Sequence, residues 1–297
     1  MYWNSLNDWL RRRYGRKVYK IALSSGCSCP NRDGTLGTRG CIFCDGAGAF
    51  AEAGDLSAQL SAARRRVAAK AGPDPCFIAY FQSFTNTYAP ADRLRKLYTA
   101  AMAPEDVVAL SVATRPDCLP PEVLELLAEL NRVKPVWVEL GLQTIHPGSA
   151  AYIRRGYDLP VYDQAVRELK AAGITVVVHE ILGLPGETEA MMAATARYIG
   201  ASGADGIKFH LLHVLRGTDL AADWAAGRFA CLEPEAYISA LESCLRNIPR
   251  EMVVHRLTGD GAKRDLLAPL WSGDKKRVLN AIHRAFARDD LEQGSAL

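Results

Sequence analysis

The sequence predicts an α/β fold, a partial or nearly closed TIM-like barrel of six or seven βα units. Three observations predict it. From Val18 onward, short β-branched runs alternate with segments of helical period, the pattern of βαβ units around a parallel sheet. Most of these runs are apolar throughout, as expected of strands covered on both faces. Polar residues collect just after the runs, where the loops of such a barrel converge on one mouth. A chain of 297 residues suffices for one such domain, and 49% hydrophobic residues with a net charge of +3 exclude a disordered or fibrous protein.

Residues 1–17 read as a basic N-terminal extension carrying Arg11, Arg12, Arg13, Arg16 and Lys17, without the apolar segment of an export signal. No later apolar run reaches 18 residues, so the expectation is a cytoplasmic protein without a membrane partner. Strands are expected at Val18 to Leu23, Cys76 to Phe81, Val107 to Val112, Val136 to Leu140, Ile174 to Ile181, Gly206 to Leu212 and Met252 to Leu257. Helices with readable ends run from Leu56 to Ala71, stopped by Gly72, from Pro121 to Asn131, from Val161 to Ala172, stopped by Gly173, and from Thr188 to Ile199, stopped by Gly200. Others are expected at Asp92 to Met102, Pro234 to Asn247 and Lys275 to Arg288. The barrel core is assigned to 18–250 and a C-terminal strand and helix extension, packed on the barrel, to 251–297. The clusters Arg11 to Arg13 and Arg64 to Arg66 read as solvated helix faces.

Eight cysteines in a reducing compartment read as ligands, catalytic thiols or core residues, not as disulfides. After the first strand come Cys27 and Cys29, then Cys41-Ile42-Phe43-Cys44. Three thiolates on a cubane of four irons leave one iron open, and that iron can chelate the amino and carboxylate groups of S-adenosylmethionine (SAM). Phe43 offers an aromatic face to the adenine. Cys27, Cys29, Cys41 and Cys44 together also supply four thiolates, enough for a closed structural zinc site in a nucleic-acid-binding module. The cysteines alone admit both readings. Their position, directly after the first strand of a barrel with polar strand ends, favours an active site. Cys76, Cys118, Cys231 and Cys244 form no second close-spaced set and read as core or helix-face thiols.

Further motifs carry a resemblance. They are Cys29-Pro-Asn-Arg-Asp-Gly-Thr with Cys41-Ile-Phe-Cys44, Tyr80-Phe-Gln-Ser-Phe-Thr-Asn-Thr-Tyr-Ala-Pro90, Thr114-Arg-Pro-Asp-Cys118, Glu139-Leu-Gly-Leu-Gln-Thr144, Gly183-Leu-Pro-Gly-Glu-Thr188 and His210-Leu-Leu-His-Val-Leu-Arg-Gly-Thr218. With them the chain resembles, over nearly its whole length, the radical SAM proteins of the YhcC and YtqA type, which belong to the same broad set as the elongator catalytic subunit. The resemblance implies a radical SAM barrel with a [4Fe-4S] cluster on Cys29, Cys41 and Cys44. The gap of eleven residues between Cys29 and Cys41 is this family's own form. Cys27 stands where the family usually has an apolar residue. Which of Cys27 and Cys29 ligates iron stays open, with Cys29 favoured by its Pro-Asn-Arg-Asp context.

The resemblance also implies the SAM contacts. Gln82-Ser83-Phe84-Thr85 stands where related enzymes place a Gly-Gly-Glu turn that holds the methionine amino group. Gln143 and His179 would meet the ribose, and Arg155 the SAM carboxylate. The YtqA side of the family is associated with tRNA wobble uridine maturation, in which a carboxymethylaminomethyl group becomes aminomethyl. That implies a tRNA substrate and an electron donor such as flavodoxin or ferredoxin. Lys208, His210, His213, Arg216, His255 and Arg256 fall on late strands or the loops after them, and are the expected contacts to a substrate carboxylate or flanking phosphates. Trp271 is read as capping the core or stacking on a base. A radical SAM enzyme acting on another small molecule or protein is the other enzymatic reading.

Overall fold

The computed structural model describes residues 2–46, 54–70, 74–259, 261 and 263–297. A curled half-barrel of seven parallel strands forms its centre, in the order β1 (Val18–Leu23), β2 (Cys76–Phe81), β3 (Val107–Thr114), β4 (Val136–Gln143), β5 (Thr175–Leu182), β6 (Gly206–Leu211) and, last, β8 (Val253–Arg256). Each neighbouring pair is consecutive in this order, as right-handed βαβ crossovers produce. The covering helices α2 (Leu56–Ala68), α3 (Ala91–Met102), α4 (Pro121–Asn131), α6 (Leu159–Ala171), α7 (Glu189–Ala201) and α9 (Pro234–Arg246) pack on the outer strand faces. All seven expected strands form. The strand expected in the C-terminal extension is thus hydrogen-bonded into the sheet, beside β6. Of the helix expected at Leu56 to Ala71, Ala71 and its stop Gly72 lie outside the described residues.

Five elements went unread in the sequence. α1 (Leu6–Tyr14) starts at Ser5, whose hydroxyl accepts from the Asp8 amide, and ends at Gly15 with φ 67. Its arginines lie on the solvent face and hide an apolar stripe. Leu10, with Leu6, Trp9 and Tyr14, packs on Val18, Ile78, Ala109 and Trp137 and plugs the N-terminal end of the barrel. Two short helices, α5 (Pro147–Tyr152) and α8 (Asp219–Ala225), and a two-stranded antiparallel ribbon of β7 (Val214–Leu215) and β9 (Leu266–Ala268) close over the mouth side. Each has at most seven residues, too few to show a period. The last helix, α10 (Lys275–Arg288), covers the N-terminal segment through Trp3 and Phe286, whose ring centroids lie 5.4 Å apart. Among the described residues no helix is long and apolar enough to cross a membrane.

Candidate active site

The inner face of the half-barrel carries single polar or charged residues on several strands, set among apolar neighbours. Glu139 of β4 is fully buried and is the centre of that layer. Its carboxylate pairs with Lys20 of β1, accepts from Lys208 of β6 at 2.9 Å and from Ser111 of β3 at 2.6 Å, and meets His179 of β5 at 2.8 Å. Lys208 also donates to the Tyr80 hydroxyl at 2.9 Å. Burial opposes ionisation of Glu139, but Lys20, then Lys208 and His179, outweigh it and hold the carboxyl well below its usual range. Burial, then Lys208, lowers His179 to about 4, against the pull of Glu139. The neutral ring therefore donates Nε2–H to Glu139 and keeps Nδ1 as an acceptor. Burial lowers Lys208 to about 7, again against Glu139.

Above this layer the strand-end loops enclose a cavity of about 170 Å³. Cys29, Cys41, Phe43, Cys44, Gln143, Arg155 and His179 line it, with Phe84, Thr85, Arg115 and Tyr157 among their neighbours there. The structure thus brings together seven residues that the sequence singled out one at a time. Gln143 enters because β4 shifts register between Gly141 and Gln143, leaving Gln143 at φ 71. Arg155 is buried beneath the same loop. Its Nη1 donates to the Thr144 carbonyl at 2.6 Å, its Nε to the Tyr157 carbonyl at 3.1 Å, and the guanidinium lies 4.6 Å from the Tyr157 ring centre. Phe43 lines the cavity while packing on a second apolar cluster around Ile153, Leu184 and Leu220.

The loop after β2 divides its residues. Gln82 lines a separate groove at the open seam between β1 and β8, with Lys20, Tyr80, Lys208, His255 and Arg256, while Phe84 and Thr85 line the cavity. Ser83 and Phe84 have φ of 73 and 59, the left-handed region in which glycine is at ease. The Ser83 and Thr85 hydroxyls are buried without a partner.

Cys27 and Cys29, two residues apart, go different ways. Cys27 is buried in the main core, its sulfur 3.9 Å from the Asn86 carbonyl. Cys29 lines the cavity. Cys29, Cys41 and Cys44 are all free thiols. Among the described residues no three His, Cys, Asp or Glu side chains are grouped closely enough to hold a single metal ion. A zinc ion, with bonds of about 2.3 Å, needs such a grouping. Cys29, Cys41 and Cys44 line one cavity with the buried, unpartnered Thr85 hydroxyl, a donor set that fits three irons of a cubane with the fourth left open. Burial pushes Cys41 up to about 11, against the Asn31 amide that faces its sulfur. Arg32 donates to the Cys44 carbonyl at 2.7 Å and brings a positive charge near all three sulfurs. Arg115, in a bidentate pair with Asp117, brings another near Cys29.

The expected substrate contacts do not form one constellation. Lys208 belongs to the Glu139 layer. His210 faces His179 with ring centres 4.9 Å apart, and its Nε2 is buried without a partner. His255, expected at the mouth, instead meets Trp137 edge to face near the base, 5.5 Å between ring centres, because β8 is short and its Val253 pairs with Gly206 at the start of β6. Arg256 lines the seam groove. His213 meets Ser272 at 3.1 Å beside the antiparallel ribbon, and Arg216 is exposed beyond it. Trp271 donates to the Leu232 carbonyl at 3.1 Å and packs on Tyr237, as a core cap does. Sequence reading missed Lys20, Tyr80, Ser111 and Glu139. For Lys20 and Glu139 the signal was a lone charge in the middle of an apolar strand, as in Val136-Trp-Val-Glu139-Leu; Tyr80 and Ser111 gave none.

A half-barrel with three thiols of one loop over its C-terminal mouth defines a class, and comparison with known proteins agrees. The radical SAM superfamily model matches residues 34–199 and the radical SAM C-terminal domain residues 204–288. The chain belongs to the radical SAM superfamily, whose members use a [4Fe-4S] cluster and SAM. Within it, the chain is 43% identical to the uncharacterized protein YtqA of Bacillus subtilis over 98% of this chain and 92% of that protein. It is 38% identical to protein YhcC of Escherichia coli over 99% of this chain and 95% of that protein. A more distant relative, the tRNA uridine(34) acetyltransferase of Methanocaldococcus infernus, is 27% identical over 52% of this chain, which spans 29% of that protein. The solved structure of the archaeal Methanocaldococcus infernus Elp3 with an N-terminal deletion shares the fold, with a TM-score of 0.70, 17% identity, and coverage of 93% of this chain and 64% of that one.

Proposed function

We propose that this chain is a radical SAM enzyme of tRNA wobble uridine maturation, converting a carboxymethylaminomethyl side chain to aminomethyl. The observation that carries the enzymatic part is the convergence of Cys29, Cys41, Cys44, Phe43, Gln143, Arg155 and His179 on one cavity. The first three would hold a [4Fe-4S] cluster. Cluster and SAM together supply a one-electron cleavage of the sulfonium, and so a carbon radical able to take an unactivated hydrogen.

The chain's own residues do the rest. Arg155, fixed through Nε and Nη1 to backbone carbonyls, keeps Nη2 for the SAM carboxylate. Thr85 has an unsatisfied hydroxyl in the cavity for the amino group, with the equally unpartnered Ser83 two residues before it, Phe43 gives the adenine a face, and Gln143 and the acceptor Nδ1 of His179 suit ribose hydroxyls. Lys208 and His210, two residues apart on β6, are the candidates for a substrate carboxylate beside the reacting carbon. That carbon lies between amine and carboxylate, which together delocalise the radical left when its hydrogen is taken, so hydrogen loss there is favoured. His255, Arg256, His213 and Arg216 remain candidates for the flanking nucleotides, in three separate places. Support for tRNA comes from the motifs shared with the YtqA side of the family and from the wobble-uridine acetyltransferase relative. The electron would come from a protein such as flavodoxin or ferredoxin.

Two measurements test this. Anaerobic reconstitution should give a brown protein that cleaves SAM reductively, and Cys41→Ala should lose both colour and cleavage. Nucleosides of tRNA from a deletion strain should accumulate the carboxymethylaminomethyl form, and unchanged wobble uridines would reject the tRNA substrate.

A further inference from the structure

Asn31 occupies the gap between the cysteine loop and the arginine arm of the cavity. It is 5% exposed, and its backbone carbonyl accepts from Gly40, the residue before Cys41, at 2.7 Å. Its side-chain amide has two N–H groups and two acceptors in reach, the Arg154 carbonyl at 2.7 Å and the Cys41 sulfur at 3.5 Å. Gly156, at φ +80, makes room for it, since a Cβ there would stand 3.0 Å from Asn31 Oδ1. The Cys41 sulfur itself lies 4.0 Å from the same Arg154 carbonyl, a contact that only a thiol can make by donating. Once the sulfur is a metal-bound thiolate it has no proton to give, and two acceptors would face each other in a buried site.

We infer that Asn31 is a positioning residue that donates one N–H to the Cys41 thiolate and the other to the Arg154 carbonyl, holding the cluster loop to the Arg155 arm and setting the cluster's reduction potential. The inference rests on the functional reading above, in which Cys41 ligates iron. Reduction of the cluster takes one electron from a reduced donor protein, which leaves oxidised by one electron, and no proton need accompany it. The added negative charge spreads onto the sulfurs, so a hydrogen bond to sulfur strengthens on reduction and favours the reduced state. Hydrogen bonds to charged groups contribute enough to matter for an equilibrium of this kind.

The test is a redox titration of the reconstituted protein followed by EPR, with iron and sulfide content measured alongside. Asn31→Ala, and the isosteric Asn31→Asp, which has no N–H to give, are each expected to keep the iron content. Both should shift the reduction equilibrium about tenfold against the reduced cluster, or about 59 mV for one electron. Unchanged potentials in both variants, with the cluster intact, would overturn the inference and leave the functional reading standing. A wild-type protein that binds no four-iron cluster would instead remove that reading. Where neither variant holds a cluster, the wild type decides. Protein labelled with 15N-asparagine should show a weak 15N coupling in pulsed EPR of the reduced cluster, and its absence is equally fatal to the role assigned to Asn31.

Discussion

Glu139 has four cationic or polar partners on strands far apart in sequence, and its environment makes sense only with all of them present. Replacing it by Gln leaves the buried Lys208 and the half-buried Lys20 without their shared counter-charge. Removing one partner of such a network costs about 3–5 kcal/mol, so denaturant unfolding of Glu139→Gln should show a loss of that order. A loss under 1 kcal/mol would mean that water reaches the layer. Gly40 poses a different single-residue problem. It sits at φ +73 with the Arg32 guanidinium against it, so a Cβ would come within 2.8 Å of Arg32 Nε. Gly40→Ala should displace Arg32 from the Cys44 carbonyl and lower the iron bound on reconstitution, while the far-ultraviolet circular dichroism stays that of the wild type. Normal iron content would show that the loop tolerates the shift.

At the scale of elements, β5 carries opposite chemistries on its two faces. His179 looks into the barrel, whereas Glu180 points into the helix layer, where it is 1% exposed and both carboxyl oxygens lack a hydrogen-bond partner. Burial first, and Glu187 second, push its carboxyl well above the usual range, so it is held neutral. The sign follows from proton uptake. A carboxyl with a raised folded-state pKa contributes stability that is fully present below the unfolded value of about 4.3 and is lost as pH rises toward the folded value. Thermal midpoints of the wild type should therefore fall between pH 5 and pH 8 more steeply than those of Glu180→Gln, measured by scanning calorimetry. Parallel curves would refute a neutral Glu180. The register shift in β4 acts at this scale as well, since without it Gln143 would not turn into the cavity.

Across the whole molecule the two chain ends are clasped. Gln293, 4% exposed, accepts from the Asn4 amide at 2.9 Å and donates to the Pro249 and Met252 carbonyls at 2.6 and 2.9 Å. Asn4 in turn accepts from Val254 of β8 at 2.9 Å, and Ser5 bridges to the same residue. The two matched family regions, 34–199 and 204–288, thus share one sheet. Calorimetry should record one cooperative transition for the whole chain. Two resolved transitions would mean that the C-terminal part folds apart from the half-barrel.

By itself the sequence determined the class of fold, because strand and helix periods are local patterns; the cofactor came through the motif resemblance, since the cysteine spacing alone admitted zinc as well. Arg155, His179 and Gln143 were legible only through motif resemblance. Tertiary structure alone put Cys27 in the core and Cys29 in the cavity, set His255 at the base and not the mouth, and assembled Lys20, Ser111, Glu139 and Lys208 into one layer. The physical reason is that burial and charge pairing depend on which strands lie side by side and in what register, and residues 119 apart, like Lys20 and Glu139, carry no local sign of that.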